Sequence, residues 1–449
     1  MRFYGREEEI ALLQDCWTVV LTNQVAQMVT VMGRSRVGKT TLILKAFDGL
    51  QKEVSVFYFF AHQHVTQKAL VSTWLAEICA VYRTDVSPAI ETVGGLLKYL
   101  MSLAKVKPCV CIFDECQAFE RIDPNIWSQI QKVWDLNKNQ TPMLLVMSGT
   151  ERGTKAIFYD YQQPLYGRPS YQLLVKAFTP QVVKTIVYAE YPQATAMDVL
   201  AVYSITGGVA TYIEILAEAQ ALSMDAAMAF ICSAQGMCLR TEGEIYLANA
   251  FPSEAVTYHE ILGALADGKD RWRDLLESVE TASQLSPYLN RLERFGIIEK
   301  LQPIFEGGLR KNAKYRIVDQ YLLFWLSFIA PLAPKSMAEA GNWSGLLRYM
   351  KERFPQFFGR SLERWFIEAY RHTHQWEVVD GWWDKQGSNE IDLVAVDTSK
   401  KIIEFAEVKL NPQKYDDRRL HMKAAAFLEE HSKFKSYDIT IRSLSPEDI

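Results

Sequence analysis

Residues 29–43 read VTVMGRSRVGKTTLI: a β-branched run, a loop with two spaced glycines, and the start of an amphipathic helical stretch. Gly33, Gly38, Lys39 and Thr40 satisfy the spacing GxxxxGK followed by Ser or Thr, and no other segment restricts the fold so strongly. The chain must leave a strand, curl tightly and enter a helix. Glycine permits the curl, so that backbone N–H groups along Gly33, Arg34, Ser35, Arg36, Val37 and Gly38, and at Thr41 in the first helical turn, face phosphate oxygens. Lys39 then reaches the β and γ phosphates of a nucleotide, and Thr40 offers its hydroxyl to Mg2+. ATP and Mg2+ are the cofactors this segment calls for.

A second stretch, KPCVCIFDECQAF, carries an apolar run from Cys109 to Phe113 that ends in Asp114 and Glu115. By itself it is a common strand terminus. Downstream of a phosphate loop it reads differently: Asp114 holds the Mg2+ shell, and Glu115 orients or deprotonates the attacking water, because phosphoryl transfer is mostly positioning and charge neutralisation. Further apolar runs at 54–60, 143–149 and 171–175 alternate with segments of helical period. That alternation predicts a five-stranded parallel sheet covered on both faces, an α/β fold.

The chain has 449 residues, more than one hydrophobic core usually organises, so two to four domains are expected. Charged residues make up 23% and the net charge is -4, which leaves no global basic excess to attract nucleic acid. Any basic footprint is local. The seven cysteines are odd in number and contain no paired CxxC, which argues for reduced thiols and a cytoplasmic location and against a disulfide framework or zinc ribbon. No amino-terminal stretch has the layout of a signal peptide, and the longest apolar run, YLLFWLSFIAPLAP, is cut by Pro331 too soon to span a bilayer. It reads as a buried helix, with no membrane partner.

Beyond residue 250 the pattern changes. TYHEILGALADG, RWRDLLESV and SPYLNRLERFGIIEKLQPIF give three short helical patterns followed by two extended ones, a winged-helix arrangement. Ser286 and Pro287 start the third helix, since proline tolerates a first turn, and Gly296 ends it. The wing falls near LRKNAKYR, where Arg310, Lys311, Lys314 and Arg316 cluster, and it offers DNA contact or simply a solvated face.

FYGREEEIALL at the start, the phosphate loop, the Asp-Glu strand end, MSGT, and PLYGRP at 164–169 together resemble the archaeal-type P-loop ATPases of the AAA+/STAND group. The resemblance implies a P-loop NTPase core at 1–178, a helical lid at 179–250, a winged helix at 251–330 and a terminal domain at 331–449. It also implies that residues from Tyr4 to Arg6 lie near the adenine, that Ser148 is a polar sensor, and that Arg168 approaches the γ-phosphate of its own or a neighbouring subunit's nucleotide; a structural pair of Arg168 with a carboxylate is the other reading. Oligomers are then expected. The family usually carries GG-x-P in its lid, whereas this chain has TGGVATY at 206–212, with Ala210 in the place of proline.

Members of this group often continue into an α/β domain resembling PD-(D/E)xK nucleases, and KYRIVDQYLLFWLSF looks like that junction. Glu363 matches the helix acid, Asp392 the first strand acid, and Glu407 and Lys409 the second strand pair. Alternation of side chains puts Asp392 opposite Glu407 if the hairpin is centred between Ser399 and Lys400, within the polar DTSKK. Asp392 and Glu407 would ligate Mg2+ with Glu363 completing the shell, and Lys409 would position the attacking water. Trp376, Trp382 and Trp383 nearby read as core. Two functions stay open at this stage. One is an ATP-hydrolysing switch coupled to a domain that acts on DNA or RNA; the other is a regulatory ATPase whose last domains only bind DNA or a protein partner.

Overall fold

The computed structural model describes all residues except 1, 50–53, 62–64, 84–87, 252–254, 280–281, 306–312 and 385–387. The chain divides into two compact units: Gly5–Ala177, and Phe178–Ile449 together with Met1–Tyr4.

The first unit is built on a parallel sheet of β1 (Gln27–Met32), β2 (Ser55–Phe60), β3 (Cys109–Asp114), β4 (Met143–Gly149) and β5 (Tyr171–Leu174), in the order β2-β3-β4-β1-β5. The strands expected at 54–60, 143–149 and 171–175 are therefore β2, β4 and β5. Strands β3 and β4 are buried along their whole length, as unbroken apolar runs in a covered parallel sheet must be. Alternation sorts their side chains onto two cores. Val110, Ile112, Leu144 and Val146 pack with Val29 and Val31 against Leu13, Trp17 and Val20 of helix Glu7–Asn23 and Leu42 and Ile43 of helix Lys39–Ala46. Cys111, Phe113, Leu145 and Met147 pack against Trp74, Leu97, Ile130 and Trp134 on the other face. Each such side chain contributes about 1.5–3 kcal/mol by leaving water.

The second unit begins with helices that include Ala196–Thr206 and Ala210–Glu218. Between them Gly207 (φ 60°) caps the first helix, and Gly208 (φ 73°) lies so close to the Phe178 carbonyl that a Cβ would sit 2.2 Å from its oxygen. Ala210 opens the second helix, the position where proline's missing N–H costs no bond. Its replacement of proline thus removes a φ restraint and no hydrogen bond.

Helices Ala255–Ala266, Trp272–Leu275 and Ala282–Arg294 follow, then an antiparallel pair of β6 (Ile298–Leu301) and β7 (Lys314–Ile317). Pro287 does not start the third helix; it lies inside it, because Ala282 to Ser286 already form a helical turn and the proline deletes only one amide from the ladder. Gly296 (φ 66°) does terminate it, with its N–H on the Glu293 carbonyl. Arg310 and Lys311 fall outside the described residues.

Helix Gln320–Phe328 is buried, and a 77° bend separates it from Leu332–Glu339. Among the described residues no single helix is long and apolar enough to cross a membrane. The long helix Trp343–His372 then leads into a four-stranded sheet of β8 (Val378–Trp383), β9 (Glu390–Asp397), β10 (Ile402–Val408) and β11 (Asp438–Leu444), ordered β11-β10-β9-β8. Strand β9 is antiparallel to both neighbours, and β11 is parallel to β10. Pairs run from Ile402 with Asp397 to Ala406 with Leu393, so the next step brings Glu407 opposite Asp392. This is the register expected from the DTSKK turn. Trp382 and Trp383 are core, and Trp376 stacks on Tyr370.

Candidate functional site

In the first unit the order β3-β4-β1 lines up three neighbouring strand ends, where ligands of open α/β sheets bind. They deliver Asp114, Ser148 and the loop that starts at Gly33. Gly33 has no room for a side chain, since a Cβ would stand 2.4 Å from the Val175 carbonyl oxygen, and Gly38 takes φ 95° at the cap of helix Lys39–Ala46. Arg36 also has positive φ, and Val37 is sunk into the core, which anchors the loop between its exposed residues Ser35 and Arg36 and the helix. Thr41 is exposed on the first turn. Lys39 is only 6% exposed and donates to the carbonyls of Gly33 (3.2 Å) and Arg34 (3.0 Å). Burial pulls its ammonium below the usual lysine range, against the opposing charges of Glu115 and Asp114.

Asp114 collects the donors. Thr40 Oγ1 donates to its Oδ2 at 2.6 Å, the Tyr58 hydroxyl to the same oxygen at 2.8 Å, and the Glu115 N–H to Oδ1 at 3.0 Å. Burial opposes the charge, but hydrogen bonds that include those from Thr40 and Tyr58 outweigh it and hold the carboxyl below the usual carboxylate range. Arg168 lies elsewhere: its guanidinium grips Asp135 of helix Ile126–Asn137, with Nη2 to Oδ2 at 2.8 Å and Nε within 3.3 Å of both carboxylate oxygens. Arg6 donates to Glu9 and the Lys176 carbonyl, and Tyr4, in the second unit, donates to Glu190.

The second unit holds another charged cluster. Lys409 Nζ is 2.9 Å from Glu407 Oε1 and 3.6 Å from Asp392 Oδ2, so the two carboxylates lie within reach of one ammonium. Lys423, on helix Asp417–Glu430, donates to the other Glu407 oxygen at 2.7 Å, and the Val408 N–H donates to Asp392 at 2.8 Å. Burial works against the Glu407 charge, but the bonds from Lys423 and Lys409 prevail and keep it below the usual range. Asp392 is raised, chiefly by burial. Glu363, on the long helix, is pushed up to about 8, by burial first and then by Asp392 and Glu390, with Lys409 and Lys314 opposing. The expected carboxylates thus share one electrostatic environment. Even so, no group of three His, Cys, Asp or Glu among the described residues is disposed to hold a metal ion. Lysine ammonium groups engage the strand acids instead: Lys409 lies by both, and Lys423 is on Glu407.

Residues 3–216 match the family described as an ATPase domain predominantly from Archaea, and residues 325–420 match a family of archaeal and bacterial proteins of unknown function. The first part of the chain is thus similar to archaeal-type ATPase domains. An uncharacterised protein of Methanocaldococcus jannaschii is 26% identical over 418 residues, which are 91% of this chain and 87% of the relative. A Walker-type ATPase of Pyrococcus abyssi has the same fold with a TM-score of 0.51 and 19% identity, over 72% of this chain and 96% of its own. The ORC2 protein of Aeropyrum pernix, solved as ADPNP and ADP complexes, gives 0.50 and 14%, over 78% and 96%.

Three contacts escaped sequence reasoning. In the first unit, Tyr58 reaches Asp114 from β2; only its place in an otherwise apolar run, VSVFYFF, hinted at a polar target. Asp135, the partner of Arg168, carries no local signal. Lys423 does: it sits three residues after Leu420 and four before Phe427, on the buried stripe of its helix, where a lysine needs an acid.

Glu363 sets a pH dependence. A carboxyl whose folded value is about 8 and whose ordinary value is 4.5 takes up a proton on folding, so stability is full at the lower end and declines as pH rises between the two. Glu363→Gln removes that decline. Thermal denaturation should show the variant melting above the unmodified chain at about pH 8, with the difference shrinking toward about pH 5. A constant difference across that range would contradict the assignment.

Proposed function

We propose that the chain is an ATP-driven switch whose second unit acts on nucleic acid. The observation that carries the ATP site is the hydrogen bond from Thr40 to Asp114, which joins the phosphate loop to the end of β3 beside the buried Lys39. These two oxygen groups suit a hard cation, and Mg2+ held by them would neutralise charge on the β and γ phosphates. Loop N–H groups from Gly33 to Thr41 and the Lys39 ammonium bind the phosphates. Glu115 orients and deprotonates the water, and Ser148, buried near the end of β4, is the polar sensor. Arg168 serves hydrolysis in its own or a neighbouring subunit only if it releases Asp135, so in the described arrangement it braces the loop that carries it. In the second unit, helices Ala255–Ala266 to Ala282–Arg294 with β6 and β7 are read as the winged helix. Lys314 and Arg316 of its hairpin pair with Glu390 and Glu299, which leaves less of the hairpin's charge for DNA.

The second unit's output is read as phosphodiester chemistry at Asp392, Glu407 and Lys409, with Glu363 in support. This is favoured by the β9–β10 register and by Lys409 standing between the two acids. One observation favours a second reading, in which this module only binds DNA or a protein: Lys409 and Lys423 occupy both oxygens of Glu407.

Phosphate release from ATP should disappear in Lys39→Ala together with nucleotide binding. In Glu115→Gln it should fall by roughly a hundredfold or more while binding persists. Unchanged turnover in both variants would refute the ATP site. For the second unit, a plasmid-nicking assay with Mg2+ or Mn2+ should show cleavage that Asp392→Ala abolishes while ATP turnover stays intact. Cleavage that survives in Asp392→Ala would remove the phosphodiester reading and leave the binding module.

A further inference from the structure

Glu115 adopts a backbone conformation that a glutamate rarely takes, φ 52° and ψ 40°, between β3 and the short turn Cys116–Ala118. Such a residue persists only where its surroundings fix it. Here the fixing group is a side chain two residues on: Gln117 Nε2 donates to Glu115 Oε2 at 2.5 Å. The other end of the same amide is also engaged, since Gln117 Oε1 accepts the Thr150 N–H at 3.3 Å. Thr150 in turn caps helix Glu151–Phe158, with its hydroxyl accepting the Gly153 N–H at 3.2 Å.

The space around Gln117 is shaped for it. A Cβ on Gly149 would stand 2.2 Å from Gln117 Oε1, and a Cβ on Gly153 would stand 2.7 Å from Gln117 Cβ. Two glycines, one at the end of β4 and one in the first turn of helix Glu151–Phe158, therefore leave room for one glutamine. Its amide orientation is also determined, because the carboxylate needs a donor and the Thr150 amide needs an acceptor.

We propose that Gln117 is a positioning residue for ATP hydrolysis, clamping the Glu115 carboxylate to the Gly149–Thr150 segment two residues beyond Ser148. This rests on Glu115 acting as the water-orienting base. Gln117 would act through Glu115: it fixes one carboxylate oxygen so that the other is presented in a set direction. Movement of the segment after β4 is transmitted through a single amide to the base. A base displaced by a fraction of an ångström to an ångström loses roughly ten- to a hundredfold in rate while nucleotide binding is untouched.

The test is a double-mutant cycle on the full chain. Gln117→Leu should lower kcat for ATP by roughly ten- to a hundredfold with the Kd for ATP unchanged, and should have no further effect in a Glu115→Gln background. The isosteric Gln117→Glu keeps shape and the acceptor for Thr150 but turns the donor into a second acid. It should lose a similar factor near neutral pH and recover part of it as pH falls and the two carboxylates share a proton. This variant also serves if the leucine form does not fold. An unchanged kcat in the foldable variant, an equal loss in both backgrounds, or a loss carried by Kd would overturn the proposal. Absence of turnover in the unmodified chain would instead overturn the ATP site on which it rests, and the clamp with it.

Discussion

The first unit depends on keeping one carboxylate charged where water hardly reaches. Asp114 is 2% exposed at the end of β3, and an unpaired carboxylate there would cost several kcal/mol. Donors from three directions offset this: Thr40 from the phosphate-loop helix, Tyr58 from the neighbouring strand β2, and the N–H of Glu115. Each donor also fixes the element that brings it. Thr40 draws the first turn of its helix toward β3, although β4 separates β1 from β3 in the sheet. The hydrogen bonds that stabilise the anion are thus the ones that shape the proposed nucleotide site, where fold and chemistry would share the same atoms.

The second unit solves a related problem with lysines. Glu407 is held by Lys409 from its own strand end and by Lys423 from helix Asp417–Glu430. Lys314 crosses from β7 to Glu390 on β9 and lies over the Trp383 ring, which binds the hairpin to the sheet. A further, partly buried network joins Tyr203 of helix Ala196–Thr206 to Glu368 (2.7 Å), Glu368 to Arg364 (2.9 Å), and Arg364 to the carbonyls of Ile317 and Val318. Helices, hairpin and sheet of this unit are therefore tied by polar groups, several of them partly buried, whose removal one at a time would strand a partner.

Sequence patterns carried the parts of this arrangement that depend on local chemistry. The loop from Gly33 to Thr41, the strand ending at Asp114, the unbroken run of β4 and the β9–β10 register were all legible, because glycine placement, apolar continuity and period-two alternation are written along the chain. What was not legible depends on distant partners. For Arg168 a phosphate and a carboxylate were both open as partners, and nothing local said that the carboxylate would be Asp135 on a separate helix. The proline at 287 suggested a helix start, yet the preceding residues had enough helical preference to begin a turn earlier. Gln117 gave no sign of its two bonds, since the glycines that make room for it lie on another strand's exit.

The central claim is that Thr40 and Asp114 together form the cation-binding edge of an ATP site. Phosphate release from ATP, measured side by side for the full chain and for Thr40→Val, tests it most directly. Loss of the hydroxyl should abolish turnover in Mg2+ while a fluorescent ATP analogue still binds, because Lys39 and the loop N–H groups remain. Turnover that survives at the unmodified rate would contradict the account.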